Sequence, residues 1–227
     1  MFMDSLAAAK AAFLEDFSKR LTEEEPSEGW KASGRKTKAL PNGEDNQFWV
    51  TKGPELIEGY AKWRDKNPQF QIWDAPGGKP AVELGFNIVV PGTDTLLRGF
   101  VDRVFIDNTT GQLMIVDLKS GARKQDSQMQ LEFYRVGLRH AMGVDIPFGA
   151  YYNAREGQLD QVVRLDRFSE DTIFRWVRNM LNSIEHNLLI PNVGMACSWC
   201  GVKEFCPTQN DAMADFDPSL DLFKQDK

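Results

Sequence analysis

The chain has 227 residues, 42% hydrophobic and 26% charged, an ordinary globular composition with room for one domain and an appendage. Its 27 basic and 33 acidic residues give a net charge of −6, which excludes a protein that coats itself with nucleic acid but leaves room for a local basic groove around an acidic metal site. No apolar run nears the roughly 20 residues of a membrane span, and the N-terminus MFMDSLAAAK carries Asp4 and no basic n-region, so the reading is a cytoplasmic protein without a membrane.

In chain order, residues 4–21 predict a helix, with Leu6, Phe13, Phe17 and Leu21 on one face. Glu23-Glu24-Glu25-Pro26 ends it, and the polar stretch 26–47 reads as loop. A second helix is expected at 53–66, started by Gly53-Pro54 and striped by Leu56, Tyr60 and Trp63. The period then shortens: 69–73, 81–90, 95–106 and 113–118 read as strands, separated by Pro76-Gly77-Gly78, Pro91-Gly92 and Asn108-Thr109-Thr110-Gly111. Such short links predict an antiparallel meander. A helix follows at about 126–142, with Met129, Phe133, Val136 and Leu138 as its apolar positions. Strands are expected at 148–153 and 161–165, and a helix at 169–189. The division expected is a helical region with loop at 1–66, a core at 67–190, a Cys segment at 191–210 and a polar tail at 211–227.

The chemistry concentrates in LRGFVDRVFIDNTTGQLMIVDLKSG, residues 97–121. Asp117 and Lys119 alternate around Leu118, so they share one face of a strand. The turn at 108–111 folds this strand onto the one carrying Asp102. Two facing carboxylates repel unless a cation or proton lies between them, and oxygen ligands suit Mg2+ or Mn2+. A lysine beside such a site orients or deprotonates water and balances phosphate charge, as phosphodiester hydrolysis requires. Gln130 and Tyr134 lie one turn apart on the following helix, placed to hold the lysine, the attacking water or a phosphate. The structural alternative pairs Asp102 with Arg103 or Arg98 and leaves Asp117 and Lys119 as a strand end.

Gly99, Asp102, Asp117, Lys119, Gln130 and Tyr134 together resemble the PD-(D/E)XK nucleases, and among them the RecB-like exonucleases, over about residues 81–207. The resemblance implies an α/β fold (α+β) with a restriction-endonuclease-like αβββαβ core and a mixed sheet flanked by helices. It implies that Asp102 and Asp117 ligate the metal, with the Leu118 carbonyl as a further ligand, and that Lys119 is catalytic. Glu83 matches an acidic position at the first core strand and is a secondary metal candidate, or a structural salt bridge.

Cys197, Cys200 and Cys206 form C-x2-C-x5-C-P, a spacing at which thiolates bind zinc or an iron–sulfur cluster; plain structural thiols are the other reading. With Trp199 and Phe205 the segment resembles the RecB-like C-terminal cluster segment, which there acts as a staple. Two departures stand out: no Cys precedes 197, and the early His of that group is absent, since the two His are His140 and His186. The expectation is a chain that begins late, by truncation or a downstream start at Met1 or Met3, or else genuine loss. His186 is a candidate fourth cluster ligand, and Glu55 or Glu58 a candidate replacement for the His.

Arg98, Arg103, Lys119, Arg123, Lys124, Arg135 and Arg139 cluster around this region and predict sequence-nonspecific phosphate contact. The function expected is a divalent-metal-dependent deoxyribonuclease, an exonuclease processing DNA ends in recombination or replication, with DNA and a protein of such a complex as partners, in a bacterial cell or phage-infected host. The alternative is a nuclease-derived DNA-binding or partner-docking subunit with weakened chemistry, or a small zinc-stapled domain.

Overall fold

The computed structural model of the chain describes residues 2–23, 36–122, 124–125, 127–186, 188, 193–194, 196–197, 200–206 and 208. Two compact units divide it, Met1–Glu170 and Asp171–Lys227. The first unit opens with α1 (Phe2–Glu23) and α2 (Asn46–Lys66). The second helix begins seven residues before the expected start. Asp45 is its N-cap, accepting the Phe48 amide at 2.9 Å, and Pro54 sits inside the helix. A capping carboxylate satisfies an orphan first-turn donor, a local signal stronger than the Gly-Pro pair. Gly53 serves packing: a Cβ there would lie 2.2 Å from the Phe13 ring, so α1 rests on the glycine surface of α2.

The strands are β1 (Phe70–Ile72), β2 (Asp74–Ala75), β3 (Lys79–Pro80), β4 (Val82–Val89), β5 (Leu96–Asp107), β6 (Gln112–Lys119), β7 (Phe148–Asn153), β8 (Gln158–Leu159) and β9 (Val163–Arg164). β2 and β3 form a small separate ribbon about the Pro76-Gly77-Gly78 turn. The main sheet runs β1-β5-β6-β7-β8, with β4 also on β5 and β9 also on β7. β4, β5 and β6 are antiparallel neighbours, as the short turns predict. Helix α3 (Met129–Met142) then carries the chain over so that β7 pairs parallel with β6. The order α2-β4-β5-β6-α3-β7 is the expected αβββαβ core in a mixed sheet.

The stripe on α2 seeds one layer of the core. Trp63 lies 5.2 Å from Tyr152 and 5.9 Å from Phe105, ring centre to ring centre, and Met114, Val116 and Ala150 complete the cluster. Each such burial stabilises by about 1.5–3 kcal/mol. On α3, Leu131, Val136 and Leu138 are buried, but Met129, read as a core position, is 44% exposed. Gly99 and Gly137 cradle Phe86, whose ring would meet a Cβ at either position within 2.3 Å.

Arg155 ties the first unit together. It donates to the Ser120 carbonyl at 2.7 Å and to Glu44 at 2.9 Å, and lies over the Phe48 and Trp49 rings. In the second unit, α4 (Glu170–Glu185) buries Ile173, Phe174 and Val177, and a short 3-10 helix spans Lys203–Phe205. Among the described residues no helix is long and apolar enough to cross a membrane.

Candidate active site

The β5–β6 ladder ends at Arg103 opposite Val116. One residue further the backbones no longer pair, and the Asp102 carboxylate takes the Leu118 amide instead, at 2.7 Å. The alternation of β6 continues beside β7, placing Asp117 opposite Tyr151 and Lys119 opposite Asn153. In an extended strand a residue's N–H and C=O leave on the same side, so the Leu118 carbonyl leaves toward Asp102.

Asp117 is 2% exposed. From α3, Gln130 donates through Nε2 to Asp117 Oδ1 at 2.8 Å and to the Tyr134 hydroxyl at 2.8 Å, while its Oε1 accepts Lys119 Nζ at 3.0 Å. The Tyr134 hydroxyl donates to Asp117 Oδ1 at 3.4 Å. Lys119 Nζ stands 2.6 Å from the buried Asp117 Oδ2. The Asp117 pKa is raised: burial outweighs the pull of Lys119, and the nearby charge of Asp102 adds to the rise. Burial likewise raises Tyr134 above its usual value and pushes Tyr151 up to about 12, so both hydroxyls are donors at neutral pH. Tyr151 spends its proton on the Ser127 carbonyl at 2.8 Å, and Lys119 Nζ lies 5.5 Å over its ring.

Five sequence-predicted residues, Asp102, Asp117, Lys119, Gln130 and Tyr134, thus meet at one place. They suit a hard divalent ion. The buried Asp117 carboxylate and the Asp102 carboxylate supply anionic oxygen, and Mg2+ is typically held by one or two carboxylates, with waters and substrate phosphate filling the rest. This also explains why no group of three or more His, Cys, Asp or Glu is gathered among the described residues.

Other candidates lie elsewhere. Glu83 has φ of +49° and a 66% exposed side chain whose carboxylate stands 3.8 Å from Arg103, so it takes the salt-bridge alternative and is not brought to Asp117. Glu58 pairs with Lys10 and Lys62, and Glu55 with Lys52, which leaves both in the α1–α2 layer. Lys124 pairs with Glu156 and Asp160, and Arg135 with Glu132 and Asp145, so these cations are already partnered. Arg123 and Trp199 lie outside the described residues, as does the tail from 209.

The cysteines do not form the expected cage. Cys197 accepts the Gly194 amide at 3.4 Å, Cys206 contacts Thr208 Oγ1 at 3.2 Å, and Cys200 is exposed; none of the three is in a disulfide. His186 Nδ1 is engaged with the Asn182 carbonyl on its own helix, one turn away. Neither iron–sulfur nor zinc binding is supported by this arrangement. Tyr151, by contrast, went unread in the sequence; its signal was its register, since a parallel crossover after β6 sets β7 against Asp117.

The sequence profile of the PD-(D/E)XK nuclease superfamily matches residues 10–207. The chain is 30% identical over 194 residues to the "Gene 69 protein" of Mycobacterium phage D29, covering 82% of this chain and 68% of that protein. It is also similar to the solved structure of SSO0001, at 13% identity and a TM-score of 0.43, over 72% of this chain and 74% of that one. Members of the matched superfamily are usually phosphodiester-hydrolysing nucleases that use Mg2+ or Mn2+. With the profile spanning most of the chain, the protein belongs to the PD-(D/E)XK nuclease superfamily.

Proposed function

We propose that this protein is a divalent-metal-dependent deoxyribonuclease, a RecB-like exonuclease that processes DNA ends in recombination or replication. The observation that carries the reading is the gathering of Asp102, Asp117 and Lys119, with Gln130 bridging Asp117 and Lys119. Asp102, Asp117 and the Leu118 carbonyl would hold Mg2+ or Mn2+, which supplies a water of lowered pKa and neutralises charge on the phosphate. Lys119 balances the phosphate and aims the attacking water. Gln130 and Tyr134 fix Lys119 and Asp117 in that pose. In the reaction, water oxygen bonds to phosphorus, one phosphoester P–O bond breaks, one water proton leaves to solvent and the freed sugar oxygen gains a proton. The phage relative supports a phage-infected bacterial host.

A second reading, a nuclease-derived DNA-binding or partner-docking subunit, draws on the early His and fourth Cys of the RecB-like pattern that this sequence lacks. One experiment separates the two. Purified protein is given DNA with Mg2+, Mn2+ or EDTA, beside Asp117→Ala and Lys119→Ala variants shown to be folded. The nuclease reading expects metal-dependent degradation by the parent alone. Equal cleavage by all three proteins would overturn the site, and DNA binding without turnover under any divalent ion would favour the second reading.

A further inference from the structure

Beside the carboxylate cluster lies a pocket of about 400 Å3. Phe133, Tyr134 and Tyr151 give it aromatic walls, Met129 a thioether, and Ser127 and Gln130 neutral polar groups. Gln130 and Tyr134 belong to both the pocket and the Asp117 cluster, so the two adjoin. No described residue lining it carries a formal charge. Those described residues offer a phosphate no cation, whereas flat rings and a thioether suit a planar aromatic ligand. The walls are set in advance: Tyr151 is held on the Ser127 carbonyl at 2.8 Å, and the Phe86 ring lies edge-on to Tyr134 at 6.5 Å. Met129, apolar yet 44% exposed at the start of α3, leaves part of this lining open to solvent.

We infer that this pocket receives an unpaired nucleobase of the nucleotide next to the scissile phosphodiester, so that the substrate is a single-stranded or frayed DNA end. The inference deepens the nuclease reading and rests on it. A base within a duplex is stacked on both faces and must be pulled out before it enters such a pocket. Stacking on aromatic side chains tolerates every base, and no described lining residue is an Arg that could read one.

The test uses single-stranded oligodeoxynucleotides carrying 2-aminopurine at either end in turn, and matched oligonucleotides abasic at that end. With Ca2+ in place of Mg2+, the parent should quench 2-aminopurine at one end and bind the abasic partner about tenfold more weakly. Phe133→Ala should lose both effects and Phe133→Tyr should keep them. Met129→Ala, at an exposed position, should weaken the quenching and decides the matter if Phe133→Ala fails to fold. With Mg2+ or Mn2+, Phe133→Ala should lower kcat/KM about tenfold on the intact oligonucleotide and leave the abasic one unchanged. If the parent binds abasic and intact ends equally, or the variants quench like the parent, the pocket assignment is wrong whether or not DNA is cut. Quenching that depends on Phe133, with no cleavage under any metal, would keep the pocket and remove the nuclease reading.

Discussion

The carboxylate of Asp102 accepts the backbone amide of Leu118 at 2.7 Å, at the point where the ladder between their strands stops. One side chain therefore does a strand's work and, in the proposed site, a ligand's work. The two separate by substitution. Asp102→Ala orphans the Leu118 amide and should cost about 1–3 kcal/mol as well as activity. Asp102→Asn keeps an acceptor and should melt close to the parent while losing metal-dependent cleavage. Urea unfolding beside a nuclease assay reads both, and an Asn variant that unfolds as readily as the Ala variant would contradict this division of labour.

Gln130 contacts Asp117, Lys119 and Tyr134 with one amide. Gln130→Ala should lower kcat about 10- to 100-fold, the usual cost of losing a group that orients a metal site. Tyr134→Phe removes the 3.4 Å donor to Asp117 and the 2.8 Å acceptor of Gln130 Nε2, but leaves Gln130 bonded to Asp117 and Lys119, and should cost less. A larger effect from Tyr134→Phe than from Gln130→Ala would reverse the roles given to them.

Asp117 carries a raised pKa in the fold, mainly through burial. The folded state then holds its proton to higher pH than the unfolded chain, so this group's contribution to stability falls as pH rises from the ordinary value of 3.8 through the raised one. At neutral pH without divalent ions, Asp117 is a burden on the fold. Asp117→Asn should raise Tm in EDTA at pH 7, by about 2–4 °C per kcal/mol gained, and the gain should shrink near pH 4. Thermal melts at both pH values check this; a lower Tm for the Asn variant at pH 7 would show that Lys119 outweighs burial.

Phe86 links the core to the site, seated between Gly99 and Gly137 with its edge toward Tyr134. A methyl at Gly137 lies 2.3 Å from that ring, so Gly137→Ala should destabilise by about 1–3 kcal/mol and reduce cleavage through displaced Tyr134. Pairing it with Phe86→Leu should restore part of both losses. Calorimetry and activity on the single and double variants measure the coupling, and strict additivity would show that no strain passes through Phe86.

The strands and the carboxylate–lysine set were legible because both are written in period two: Asp117 and Lys119 flank Leu118, and turn residues mark every reversal from Pro76 to Gly111. The start of α2 was misread because Pro54 resembles a first-turn residue, whereas Asp45, eight residues before Gly53, makes the cap. Met129 and Phe133 share the helical spacing of Val136 and Leu138, and spacing alone does not say that the first two line an open pocket. Glu83 sits where the register sets it across from Asp102, yet a left-handed backbone turns it to Arg103, a local torsion that residue type does not encode. The C-x2-C-x5-C spacing describes chain separation only, and the thiols find Gly194 and Thr208.

Arg155 grips the Ser120 carbonyl, immediately after Lys119, and reaches back 111 positions to Glu44. The loop leaving the lysine strand is thereby fastened to a segment far back along the chain. Closing so long a span is slow, since entropy must be lost before the contact forms. The lysine of the proposed site is accordingly locked in place only after Arg155 has been made and has met Glu44.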